Sequence, residues 1–251
     1  AVAFQVAVLI VTVPIFVLHW RWAARLANRD PGEREADARR FYLYGMAASF
    51  AVPLLSNAHG FVTALLGPLA GSTDPVAGEL VRAAVALAIL GVVAWFNRGV
   101  IQGERAAVGE PGRAASFRRL YTLGLAAVGL TMAINGAIGL LRVAIAGAGD
   151  ASAAVILGRR ETAELSAAAL VGIAAWAWFW RIAQARFDSG SADEERSTLR
   201  KLYLYAVVLI TVLTVVFQST TLVAGLLRNL LGLPSLGDVR DVFHAEILAV
   251  L

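Results

Sequence analysis

Arg118-Arg119-Leu120-Tyr121-Thr122-Leu123-Gly124 is a basic pair followed by an aromatic residue and a long apolar run. The arrangement occurs three times. Its other copies are Arg39-Arg40-Phe41-Tyr42-Leu43-Tyr44-Gly45 and Arg200-Lys201-Leu202-Tyr203-Leu204-Tyr205-Ala206. Each copy opens a stretch of at least the roughly 20 apolar residues that a helix needs to cross a bilayer. Tyr42, Tyr121 and Tyr203 follow one another at a nearly constant interval, and self-similarity at so steady a period is the mark of a repeated structural unit.

Working outward, the helix before each copy ends in aromatic residues beside an arginine: His19-Trp20-Arg21-Trp22, Trp95-Phe96-Asn97-Arg98 and Trp178-Phe179-Trp180-Arg181. The separations from Arg21 to Tyr42, Arg98 to Tyr121 and Arg181 to Tyr203 are also nearly equal. The unit is therefore a helical hairpin, closed by a long polar loop of constant length. The chain reads as an all-α polytopic integral membrane protein, one transmembrane domain over 1–251 made of tandem parallel repeats of transmembrane helical hairpins. The repeat units span approximately 1–67, 79–147 and 163–232, giving six full spans, and 241–251 starts a partial seventh. Pro14 and Pro53 lie inside the first two spans, where each predicts a kink.

Composition agrees with this reading. Hydrophobic residues make up 59% of the chain and charged residues 16%, against about a quarter charged in a soluble domain. The net charge of +4 comes almost wholly from arginine, Lys201 being the only lysine. In a soluble protein such an excess would point to nucleic acid, but these arginines cluster between spans, where orientation in a bilayer accounts for them. No nucleic-acid partner is expected. The three aromatic-bounded loops hold six, five and five basic residues, which by the positive-inside rule places them in the cytoplasm of a bacterial inner-membrane protein. Arg142, Arg228 and the Arg159-Arg160 pair are the votes against this orientation. With no cysteine there is no disulfide framework and no thiolate site. The first stretch, 1–17, lacks a basic leader region and does not read as a signal peptide, and both ends of the chain fall inside apolar runs.

Interfacial anchors are expected at Trp20, Arg21, Trp22, Arg40, Tyr42, Trp95, Arg98, Arg119, Tyr121, Trp178, Trp180, Arg181, Lys201 and Tyr203, since amphipathic rings and long cations suit the headgroup level. Ser56 with Asn57, Asn135 and Gln218 all lie at a similar distance beyond the tyrosine that opens their helix. At the α-helical rise that distance is near mid-bilayer. They read either as a polar pathway or as interhelical hydrogen bonds helped by small neighbours such as Gly60 and Gly136. His59 is the one histidine deep in a span, a candidate haem or pigment ligand beside the plainer reading of a satisfied histidine. Glu79, Glu161, Glu164 and Glu246 stand near helix starts, where a carboxylate complements the helix dipole. No intramembrane carboxylate, phosphate loop, metal-binding spacing or catalytic constellation emerges, so no catalytic residue, metal or cofactor is assigned.

The Arg-x-Leu-Tyr-x-Tyr opening of an apolar helix, preceded by a Trp-Arg closure, resembles an uncharacterised bacterial family of multi-span membrane proteins classed as a domain of unknown function. Leu123 and Ala206 depart from its pattern. The resemblance implies fold and membrane location only. The leading functional expectation is a non-enzymatic membrane scaffold or accessory subunit, in contact with the lipid bilayer and with other membrane subunits or copies of itself. The alternatives are a transporter or channel using the mid-membrane polar layer, and a haem- or pigment-binding subunit using His59.

Overall fold

The computed structural model describes residues 2–72, 75–110, 112–149, 159–188 and 197–231. Among the described residues the architecture is all-helical: α1 (Val2–Arg29), α2 (Pro31–Glu35), α3 (Asp37–Leu69), α4 (Ala77–Val108), α5 (Arg113–Gly149), α6 (Arg159–Phe187) and α7 (Thr198–Leu230). Among the described residues five segments are long and apolar enough to cross a membrane: Asp37–Leu69, Ala77–Val108, Arg113–Leu141, Arg160–Phe187 and Thr198–Phe217. The helix expected to begin at Asp241, together with Glu246, lies outside the described residues.

The first two of the long polar loops expected between hairpin helices are mostly helix. Only 109–112 separates α4 from α5, and between α1 and α3 the short α2 takes up most of the turn. The reason lies in composition: six of the twelve residues in 97–108 are Ala, Arg, Glu or Gln, which favour helix and carry α4 beyond its apolar stretch. Gly109 ends it, with φ of 69° and its amide donating to Arg105 O at 2.9 Å, a conformation open to glycine and strained for other residues. Asp30 starts α2 as an N-cap, its Oδ1 accepting from Gly32 N at 2.8 Å, with Pro31 at the first helical position. Both Pro14 and Pro53 sit within unbroken helices.

The chain divides into two compact units, Ala1–Leu199 and Arg200–Leu251. In the first, α3 is central and packs against α4, α5 and α6. Contacts fix the directions. Arg40 at the start of α3 meets Gly109 after α4, so these two helices are antiparallel. Phe41 and Tyr44 of α3 face Phe117 and Tyr121 of α5, so that pair runs parallel. The closest packing joins α5 to α6. A Cβ on Gly129 would lie 2.5 Å from Trp176 N, and one on Gly136 would lie 2.6 Å from Leu165 O. Gly172 sits in the same way on the backbone of Ala133 and Gly129. Small residues at these positions let two backbones touch, which in lipid supplies the dispersion contact that holds helices together.

One face of α4 carries Val81, Val85, Ile89, Val92 and Phe96, each about half exposed or more. Their spacing of three and four residues makes a continuous apolar stripe. A stripe of this length suits hydrocarbon as its solvent. In the second unit, α7 is apolar on nearly every side over 204–217.

Candidate functional site

Two of the residues expected in a mid-membrane layer turn back on their own helices. Asn57 Nδ2 donates to Pro53 O at 2.8 Å and Asn135 Nδ2 to Thr131 O at 2.9 Å, each one turn back in its own helix. Ser56 and Asn135 are exposed, so they face away from the unit's interior. Gln218 lies in α7, and its side chain is outside the described set. His59 Nε2 donates to Glu164 O at 3.1 Å, tying α3 to the start of α6. At that same end Arg160 bridges Glu79 and Glu164 at 3.3 Å each. Two of the acidic residues near helix starts thus neutralise a cation that argued against the inferred orientation.

Chemistry gathers instead at the opposite end of the first unit, where the first two basic signatures lie. Most expected anchors are at least partly exposed there, including Trp22, Tyr42, Trp95 and Trp178. Arg40 is not. It is 2% exposed, and its Nη2 donates to Glu104 O at 3.2 Å and Gly109 O at 3.1 Å. The guanidinium caps the carbonyl end of α4, where the helix dipole favours a cation. Arg39 Nη2 pairs with Glu104 Oε1 at 2.8 Å, and Arg34 Nε lies 3.7 Å from Glu104 Oε2. Beside them Glu110 lies between Arg105 Nε at 3.1 Å and Arg118 Nε at 2.9 Å, and accepts the Tyr44 hydroxyl. Two carboxylates therefore clasp the starts of α3 and α5 to the end of α4. Burial explains the choice of arginine: a planar, always charged fork can satisfy several acceptors at once.

Within this clasp the helical register sorts the first signature. Arg40, Leu43 and Tyr44 point inward, while Phe41 and Tyr42 point out. An aromatic ladder continues from Tyr44 to Tyr121 at 5.7 Å and from Tyr121 to Phe179 at 6.0 Å, linking α3, α5 and α6.

Because α4 packs on α3 rather than on α5 or α6, a gap remains on one side of α3. It forms a cavity of about 440 Å³, within the usual range for small-molecule sites. Its wall changes character along the helix axes. At the basic end stand Arg98, Arg105, Arg118, Arg119 and Arg186. Further into the spans the wall is Ala47, Ala51 and Leu54 of α3 with Ala94 of α4. From Tyr44 to Leu54 the wall follows about 15 Å of helix. Trp95 and Trp178 flank the chamber, and Tyr121 and Phe179 line its side. Between the two ends lies Asn97, 2% exposed, with neither polar atom of its amide hydrogen-bonded. Such a group costs about 1–3 kcal/mol unless something satisfies it.

Glu104 and Glu110 were not singled out from the sequence, and Tyr44 and Asn97 appeared there only as members of the basic-tyrosine and aromatic-arginine signatures. The signal available there was that Glu104 and Glu110 are the only acidic residues between Arg98 and Arg119.

No curated protein and no solved structure matches the chain. A family model described as a domain of unknown function (DUF5671) matches residues 1–115 and 119–251, nearly the whole length. The protein thus belongs to this family, whose members share a domain of unknown function (DUF5671).

Proposed function

We propose that the protein is a non-enzymatic integral membrane scaffold or accessory subunit of a larger assembly. It resides in the bacterial cytoplasmic membrane with its basic signature ends in the cytoplasm, where the clustered arginines favour that orientation. One observation carries the assembly role: Asn135 and Ser56, near mid-bilayer, are exposed on the outer surface of the helices that hold them. Beyond its bond to Thr131 O the Asn135 amide keeps a second N–H and its carbonyl oxygen, and polar groups facing hydrocarbon are costly unless a neighbouring protein helix offers them partners. The alternative of a conducting polar layer is weakened by the same outward placement and by the bonds of Asn57 and Asn135 to their own backbones. A haem role for His59 is weakened because its Nε2 is engaged by Glu164 O.

The chain has no cysteine, so Asn135→Cys introduces a single thiol for cross-linking in native membranes. A product of one defined higher mass is expected, and Asn135→Leu with Ser56→Ala should abolish co-purification of that partner while the chain stays folded. A chain that stays uncross-linked and monomeric, with liposome flux that disappears in Asn57→Leu/Asn135→Leu, would sink the proposal.

A further inference from the structure

We infer that the cavity between α3, α4, α5 and α6 binds a single-chain amphiphile with a phosphate head, its apolar tail along Ala47, Ala51 and Leu54 and its headgroup among the arginines. Three independent features converge on this class of ligand. The first is charge. Five arginines and no acidic residue stand among the described residues that line the chamber, while Glu110 beside it pairs with Arg105 and Arg118. Phosphate matches guanidinium geometry, each planar fork donating two parallel N–H bonds to its oxygens. The second is Asn97, whose buried amide has no hydrogen-bond partner and stands between the charged and apolar ends. Phosphate or ester oxygens of a bound headgroup accept from the Asn97 Nδ2 and a glycerol hydroxyl donates to its Oδ1, removing a penalty the empty site carries. The third is shape. The chamber runs about 15 Å along helices that span the membrane, polar at the basic end and apolar within. A soluble phosphate compound would leave the inner half unfilled, whereas a lipid-derived anion fills both halves and reaches the site from the bilayer.

The test uses the full chain in nanodiscs of zwitterionic lipid, with tryptophan fluorescence from Trp95 and Trp178 and native mass spectrometry as readouts. Three probes separate the sources: lysophosphatidic acid, glycerol 3-phosphate as the headgroup alone, and lysophosphatidylcholine with the same chain. Lysophosphatidic acid is expected to saturate at one molecule per chain, with the other two much weaker. Arg98→Gln and Asn97→Leu should each weaken it roughly tenfold, the loss expected for one hydrogen bond to a charged group. Asn97→Leu should at the same time stabilise the empty protein, since it removes an unsatisfied amide; this readout shows that the variant folds. Ala51→Phe should exclude the chain. Equal binding of glycerol 3-phosphate would assign the site to a soluble phosphate and overturn the inference. Equal binding of lysophosphatidylcholine would reduce it to partitioning and overturn it too, as would unchanged affinity in both Arg98→Gln and Asn97→Leu.

Discussion

Replacing Gly172 by alanine should drive α5 and α6 apart. A Cβ at Gly172 falls on the Ala133 amide nitrogen and lies 2.8 Å from both Ala133 Cα and Gly129 O. Ordinary contact begins near 3.4 Å, so the helices must separate by at least 0.6 Å (3.4 less 2.8), and each of these obstructing atoms belongs to backbone. Two effects oppose each other. Alanine gains up to about 1 kcal/mol over glycine inside a helix. Overpacking costs about 1–3 kcal/mol where side chains can yield, and the upper end applies where only backbone can move. The net expectation is a loss of about 2 kcal/mol. Gly124 is the matched control: it is exposed on α5, and nothing lies within 4 Å of a Cβ placed there. Gly124→Ala should leave stability unchanged or raise it by up to about 1 kcal/mol. Unfolding by SDS in mixed micelles, followed by tryptophan fluorescence, reads the difference between the variants, expected at about 3 kcal/mol by adding these two effects. Two variants within about 0.5 kcal/mol of each other would refute the claim that backbone contact through these glycines holds the pair.

The clasp at the basic end gives a second prediction. Glu110→Ala leaves Arg105 and Arg118 without their shared carboxylate at a site where the Glu110 side chain is 6% exposed, and should cost about 3 kcal/mol in the same unfolding assay. Glu110→Gln keeps an acceptor for the Tyr44 hydroxyl and should lose less. Arg113, 84% exposed and 3.8 Å from Asp37, should be replaceable by alanine with no measurable change; an equal loss in Arg113→Ala and Glu110→Ala would show that burial is not what makes the clasp matter. His59→Phe removes one hydrogen bond between α3 and α6 and should cost about 1 kcal/mol. The reading fails if the purified protein shows a visible absorption band that this substitution abolishes.

Much of the fold was legible because hydropathy is a local property. Each apolar block reports its own need for hydrocarbon, and Trp95-Phe96 or Trp178-Phe179-Trp180 marks a block's end without reference to the rest of the chain. The connections were not legible in the same way. Residues 97–108 read as loop because they are polar, yet their composition suits a helix that continues beyond the bilayer. Gly136 illustrates a half-legible case. Its size suggested close packing, but its partner, the backbone at Leu165 and Ala169, depends on which helix returns beside α5.

Among the site residues the division is sharper. Arg40 was expected at the headgroups from its place before Tyr42, but its acceptors, Glu104 O and Gly109 O, are remote in the chain, and only the antiparallel pairing of α3 with α4 brings them together. Asn97 looked like part of an interfacial belt; its burial follows from facing α3 and the gap beside it. By itself the sequence determined an all-helical, membrane-length architecture with its cations gathered toward one end, since both follow from side-chain transfer energies that act residue by residue. Tertiary structure decided which of those cations are engaged by Glu104 and Glu110 and which line a cavity, because a guanidinium's role depends on the acceptors that packing places within hydrogen-bond reach.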